Sequence, residues 1–336
     1  MRRLAAGSLR VMLYLIVVAV VAWSVAAIWI DGPKSRALAA ALCAVVAAGS
    51  VLLLIVVRPW WWAGVAAVVP FVIVLAWWLS IAPTNTADWQ PDVARLPSAV
   101  FDGDRVTIRN VRDFAYPSPT AVVERWEERT YDLGRVEGFD MFLSNWGPKA
   151  IAHTISSWEF SDGRHLAISI ETRKVKGQEY SALLGFFRQY ELYYLVVDER
   201  DVIGVRVGPR GEDVHLYRLR GSPEFARALL RDYLAELNGL ARAPRWYNAV
   251  THNCTTEIRH RVQQVAPGNP FNWRLLANGY LDELGYERGQ INTSMPFAEL
   301  RRRSDITARA KAAGDRADFS RLIRVDLPDR PAAPSR

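Results

Sequence analysis

IAHTISSWEFSDGRHLAISIET, residues 151–172, decides how the second half of the chain folds. Two runs rich in β-branched and aromatic residues, Ile151–Phe160 and Arg164–Thr172, flank Ser161-Asp162-Gly163, a set of turn residues, so the stretch reads as a β-hairpin. A three-residue loop pairs Phe160 with Arg164 and, counting outward, sets His153 opposite Glu171 on one face of the sheet. A two-residue loop instead sets Thr172 opposite His153 and turns Glu171 away, because a slip of one residue exchanges the faces. On both sides of the hairpin, Val122–Leu133, Gly138–Trp146, Leu192–Val197, Val202–Val207 and Val214–Leu219 read as further strands. Helices follow. Ser222-Pro223-Glu224 is an N-cap followed by proline at the first helical position, and Ala226, Leu229, Leu230, Tyr233, Leu234 and Leu237 recur at helical spacing until Asn238-Gly239. A second helix is expected from Cys254 to about Val265, a third with a basic face over Phe297–Ala313, and a frayed end over Arg330–Arg336.

The first quarter of the chain is of another kind. Val11–Ile30, Ala37–Val57 and Trp60–Ile81 are uncharged apolar runs, each long enough to cross a hydrocarbon core of about 30 Å as a helix. The first is longer than the roughly 7–15 apolar residues of a signal peptide, and Ala26-Ala27-Ile28 is a poor cleavage site, so it is expected to stay as an anchor. Arg2, Arg3, Arg10 and Arg58 fall on one side of the membrane against Lys34 and Arg36 on the other, which puts the N-terminus in the cytoplasm and residues 88–336 outside it. Trp60-Trp61-Trp62 and Trp77-Trp78 mark opposite ends of the third run as interfacial anchors. With no acid or base inside any span, nothing suggests an ion or proton path. The expected division is an anchor over 1–82, a proline-containing linker over 83–100, an extracytoplasmic domain over 101–325 and a tail over 326–336.

Net charge is +7, but residues 1–87 hold six Lys/Arg and one acid and so supply +5 of it. The rest is nearly balanced, which argues against nucleic-acid binding, where phosphates demand a concentrated basic face. Two cysteines, one of them inside an apolar run, do not make a disulfide framework. There is no CxxC, HxxxH or HExxH spacing, no phosphate-cradling glycine loop and no GxSxG elbow, so neither metal nor cofactor is expected.

Cys254 is the candidate nucleophile. It opens a helix after the polar stretch Tyr247–Asn253, where unpaired backbone N–H groups and the positive end of the helix dipole lower a thiol pKa and can hold an oxyanion. The bland alternative is a buried thiol acting as a small hydrophobe. Among His153, His165, His215, His252 and His260, His153 has the best claim as base through its possible pairing with Glu171; His165 and His252 compete, and His215 and His260 read as ordinary strand and helix-surface residues.

His153-Thr154-Ile155-Ser156, Ser169-Ile170-Glu171-Thr172-Arg173, Glu179-Tyr180, Val197-Asp198-Glu199-Arg200-Asp201, Tyr247-Asn248 and Asn253-Cys254-Thr255-Thr256, taken in order over about residues 120–265, resemble the Lnb N-terminal periplasmic domain family. Lnb-type proteins are lipoprotein transacylases that move an acyl chain from the diacylglyceryl group to the amine of the N-terminal cysteine. The order His, acid, Cys is also similar to that of permuted papain-like (NlpC/P60-like) folds. The resemblance implies Cys254 as nucleophile, His153 as base and Glu171 as orienting residue, with Asn253, Thr255, Arg173 and Tyr247 around the substrate or oxyanion. The expected protein is α+β: three transmembrane helices, then a β-rich extracytoplasmic domain with a papain-like core. Its expected activity is a cysteine acyltransferase or acyl hydrolase on membrane lipid or lipoprotein esters at the bacterial inner membrane. A cell-wall peptidase or amidase and a non-catalytic envelope module are the alternatives.

Overall fold

The computed structural model describes residues 2–332 except 119, 267 and 269, and the side chains of these from residue 7 onward. It forms two compact units, one within residues 1–84 with 180–190, the other within 85–179 with 191–336.

The first unit contains α1 (Arg2–Asp31), α2 (Arg36–Val56) and α3 (Trp60–Ser80). Gly7–Asp31, Arg36–Val56 and Trp60–Ser80 are each long and apolar enough to span a membrane. The Ser35 hydroxyl accepts from Leu38 N and so caps α2. Asp31, at the end of α1, accepts from Trp78 Nε1 at 2.7 Å, from Gln189 Nε2 at 2.6 Å and from Arg188 N at 3.1 Å. Phe187 is buried with Ile28 and Val74. Residues 180–190 therefore pack as part of the membrane helices' own unit, a role their composition does not announce.

The second unit is built on β1 (Ser98–Asp102), β2 (Arg105–Arg112), β3 (Ala115–Ser118), β4 (Ala121–Val123), β5 (Trp126–Asp132), β6 (Val136–Asn145), β7 (Ala152–Phe160), β8 (His165–Arg173), β9 (Glu191–Val197) and β10 (Asp213–Arg218). Among the described residues the main sheet runs β1-β2-β9-β8-β7-β6-β10, with β5 also on β2 and β3 paired with β4 apart from it. Its pairs are antiparallel except for a parallel contact of β2 with β9 at Arg112 and Val197. The helices are α4 (Glu199–Val207), α5 (Pro223–Arg242), α6 (Cys254–Val265), α7 (Leu281–Glu287), α8 (Phe297–Ser304), α9 (Thr307–Ala313) and α10 (Phe319–Leu322).

Alternation along β7 explains why both faces of the sheet are covered. Ile155, with Ala167, Tyr193 and Leu195 from its neighbours, packs with Val202, Ile203 and Val207 of α4 and Ala310 of α9. On the other face Trp158 is fully buried, its ring edge-on to Tyr233 of α5 and its Nε1 donating to Ala226 O at 2.9 Å.

Several expectations need correcting. Val202–Val207 is helical: Asp198 caps it, Glu199 and Asp201 sit in its first turn where they favour the dipole, and the β-branched residues serve as its sheet-facing stripe. The helix expected over Phe297–Ala313 breaks at Asp305-Ile306, where Ile306 N donates to Val214 O on β10. α5 runs past Asn238-Gly239 to Arg242 because the Asn238 carboxamide is used elsewhere, taking Ala99 N and giving to Ala99 O on β1. Within 83–100, Trp89 and Val93 are buried, Asn85 donates to Leu240 O and Ala241 O, and β1 begins at Ser98. Arg330 binds Asp140 and Glu159; residues 333–336 lie outside the described residues.

Candidate active site

The hairpin takes the three-residue loop. Phe160 N donates to Arg164 O at 3.0 Å and Gly163 N to Phe160 O at 2.9 Å, with Gly163 at φ +81°, a left-handed position that suits glycine. The β7–β8 ladder runs from Glu159–His165 to Ile155–Ser169, and the same register carried outward sets His153 against Glu171. Pairing stops two residues short of that point. There the Thr154 N–H acts on the Cys254 thiol and lowers its pKa.

His153 is buried, and its Nε2 lies 2.7 Å from Ser169 Oγ and 3.2 Å from Glu171 Oε1. Ser169 Oγ donates to that same Oε1 at 2.7 Å, so it relays as well as supports the contact. Arg206 Nη2 on α4 also donates to Oε1, at 3.1 Å, while its Nη1 donates to Glu212 Oε2. With Nε2 engaged, Nδ1 is the ring nitrogen left for Cys254, which raises the His153 pKa. Burial lowers the His153 pKa, but the Glu171 charge and the hydrogen bonds outweigh it and raise the group to about 9. Burial raises the Cys254 thiol, yet the His153 bond and charge and the Thr154 N–H bring it below its ordinary value. Glu171 is held well below the usual carboxylate range: burial opposes this, and His153 and Arg206 overcome it. His153 is thereby held charged at neutral pH, and the Cys254 thiol beside it is made more acidic than an ordinary cysteine.

α6 starts at the thiol because Asn253 caps it. Asn253 Oδ1 accepts from Thr255 N and Thr256 N, and Thr256 Oγ1 accepts from Asn253 N, completing a capping box. This corrects one expectation: the N–H groups of Thr255 and Thr256 are taken by the cap, which leaves the Cys254 N–H, one position earlier, outside it. A second donor comes from a residue the sequence did not single out. Asn278 Nδ2 lies 3.6 Å from Cys254 Sγ and 3.1 Å from Thr255 Oγ1, while its Oδ1 accepts from Ala152 N at the start of β7. Gly279 permits this approach, since a Cβ there would fall 1.8 Å from Lys149 O.

The other candidates divide. Thr255 is buried with its hydroxyl 3.8 Å from Sγ, and Tyr247 is buried in the turn before α6. Arg173 does not join the cluster: its guanidinium donates to Val93 O, Ala94 O and Asn85 Oδ1 and lies over the rings of Trp89 and Tyr193. His252 turns its Nδ1 to Glu257 rather than to the thiol, and His165 packs in the strand beyond the turn.

A cavity of about 500 Å³ lies beside the chain neighbours of the pair, with His153 and Cys254 themselves outside its lining. Its wall includes Thr154 and Thr255, the chain neighbours of His153 and Cys254, and continues along Ile258, Val262, Phe225 and Leu284. Among the described residues Thr154 Oγ1, buried in this wall, has no hydrogen-bond partner.

Comparison with protein families matches residues 123–279 to the Lnb N-terminal periplasmic domain, a span that takes in His153, Glu171, Cys254 and Asn278. Comparison with curated proteins and with solved structures gives no match. Three membrane-spanning helices and a matched periplasmic segment make this a multi-pass inner-membrane protein with a periplasmic domain, whose residues 123–279 match the model of the Lnb N-terminal periplasmic domain.

Proposed function

We propose that this protein is a membrane-anchored cysteine acyltransferase or acyl hydrolase acting on lipid or lipoprotein esters. One observation carries the reading: a largely apolar cavity begins at the residues adjoining a polarised Cys–His pair. At about 30 Å³ for a water-sized group, 500 Å³ holds on the order of 15 such groups, the scale of a long acyl chain. The strand-borne His and acid beside a helix-capping Cys also favour a permuted papain-like core.

In the proposed reaction the Cys254 thiolate attacks the ester carbonyl carbon, and the Cys254 N–H and Asn278 Nδ2 receive the oxygen that becomes negative. Imidazolium His153 gives the Nδ1 proton to the departing alkoxide as the C–O bond breaks, leaving an acyl-thioester and an alcohol. Neutral His153 then takes a proton from water or an amine as that nucleophile attacks the thioester, and thiolate leaves. Glu171, through Nε2 and Ser169, keeps the ring turned toward the thiol throughout.

Incubating the purified full chain with acyl-labelled phospholipid or lipoprotein should give a hydroxylamine-sensitive label on Cys254. Cleavage of cell-wall peptides with no acyl adduct would instead support the peptidase alternative. The pH profile is a second check. His153 is charged below about 9, so activity should fall as pH rises through that value and the proton donor is lost. In Glu171→Gln burial and the Arg206 charge lower the His153 pKa with the Cys254 hydrogen bond left to oppose them, so the alkaline limb should move down toward 6.5, the ordinary histidine value.

A further inference from the structure

We propose that His252, Glu257 and His260 form a divalent transition-metal site of the zinc class, distinct from the Cys254–His153 pair. The donor atoms of the three side chains lie within 4.8 Å of one another. Both imidazoles turn Nδ1 to one carboxylate oxygen, Glu257 Oε1: His252 at 2.7 Å and His260 at 3.6 Å. The second distance exceeds a hydrogen bond. It is close to the roughly 3.3–3.4 Å that separates two ligands each about 2.0–2.1 Å from a tetrahedral ion. His252 needs to open by only about 0.6–0.7 Å to reach the same spacing.

The remaining groups at Glu257 divide the carboxylate's work. Tyr194 OH donates to Oε2 at 2.8 Å, and Arg245, 3.9 Å from Oε2, is itself engaged by Glu236. These contacts anchor one oxygen and leave the other to the two histidines, the outer-shell support that orients a ligating carboxylate. Glu257 is fully buried, whereas His252 and His260 are about 40% exposed, so the ligand set opens to solvent on the imidazole side. Two imidazoles and one carboxylate suit zinc and its neighbours, and three protein ligands leave a coordination position for water. The backbone fixes the frame. His252 pairs with Asn248 through two main-chain hydrogen bonds, and Glu257 and His260 occupy successive turns of α6, so a bound ion would clip the turn before the thiol to its helix.

The test uses Co²⁺ as a spectroscopic probe and Zn²⁺ as competitor, with the full chain in detergent. Wild type should bind one Co²⁺ with visible d–d bands and no thiolate charge-transfer band, and Zn²⁺ should displace it. Affinity should fall at least tenfold in His260→Ala and in His252→Ala and stay unchanged in Cys254→Ser. Zn²⁺ should also raise the melting temperature of wild type but not of His260→Ala, whose half-exposed side chain makes unfolding an implausible consequence of its removal. Absence of binding, binding that survives His260→Ala, or binding lost in Cys254→Ser would each overturn the proposal.

Discussion

Cys254→Ala should abolish acyl-adduct formation and lower turnover of acyl-lipid substrates by about 10³-fold or more, the scale of losing a nucleophile that works as one unit with its base. The expectation rests on position. The thiol is made more acidic by His153 and the Thr154 N–H, lies 3.6 Å from Asn278 Nδ2, and is followed in the chain by Thr255, which lines a largely apolar cavity. The substitution removes one sulfur from a site held in place by the Asn253 cap and by Asn278 on Ala152, so the variant should fold. Its cavity should still take up the acyl chain, which makes the variant a substrate trap. Adduct formation equal to wild type, measured with labelled lipid, would show that the acyl chain is carried elsewhere.

Arg324→Ala should destabilise the periplasmic domain by about 3–5 kcal/mol, the cost of leaving buried charge without its partner. The guanidinium donates to both oxygens of Glu199 at 2.6 and 2.7 Å and to Asp140 Oδ2 at 2.9 Å, and both carboxylates are closed to solvent. Arg330 still reaches Asp140 Oδ1, but among the described residues Glu199 keeps only the Ser157 hydroxyl as a side-chain hydrogen-bond donor. Burial alone would raise the Glu199 pKa; Arg324, helped by the Ser157 hydroxyl, holds it far below the usual carboxylate range. The sign of the pH dependence follows. That stabilisation is present above the unfolded carboxylate value and is lost as pH falls through the folded one, so the gap between wild type and variant should narrow on acidification. Thermal melts of the two proteins at neutral and acidic pH measure it.

What the sequence made legible was whatever depended on local periodicity. The turn at Ser161-Asp162-Gly163 and the period-two alternation around it bring His153 and Glu171 together, and the polar cap before Cys254 starts α6 where expected. Groups brought in from a distance were hidden. Asn278 arrives from 24 residues beyond the thiol through a loop whose close approach depends on Gly279, and nothing in its spacing signals this. Arg206 was obscured by the strand-like composition of α4, although the Asp198 cap and two acids in the first turn mark a helix. Arg173 looked like a site residue because it shares a block with Glu171, but its guanidinium is spent on the 85–94 segment, which prolines made look like a free linker. His252, Glu257 and His260 show no HxxxH spacing because His252 lies in the turn before α6 while Glu257 and His260 lie on it.

The central claim is an activated thiol, and the most direct measurement is the rate of Cys254 alkylation by iodoacetamide against pH, in full-length Cys43→Ser protein with and without His153→Ala. An apparent thiol pKa below the roughly 8.5 of a free cysteine is expected, rising when His153 is removed, since burial then acts without the imidazolium to oppose it. A thiol that reacts slowly at every pH short of unfolding, or whose pKa is unchanged by His153→Ala, would contradict it and leave the domain as a non-catalytic binding module.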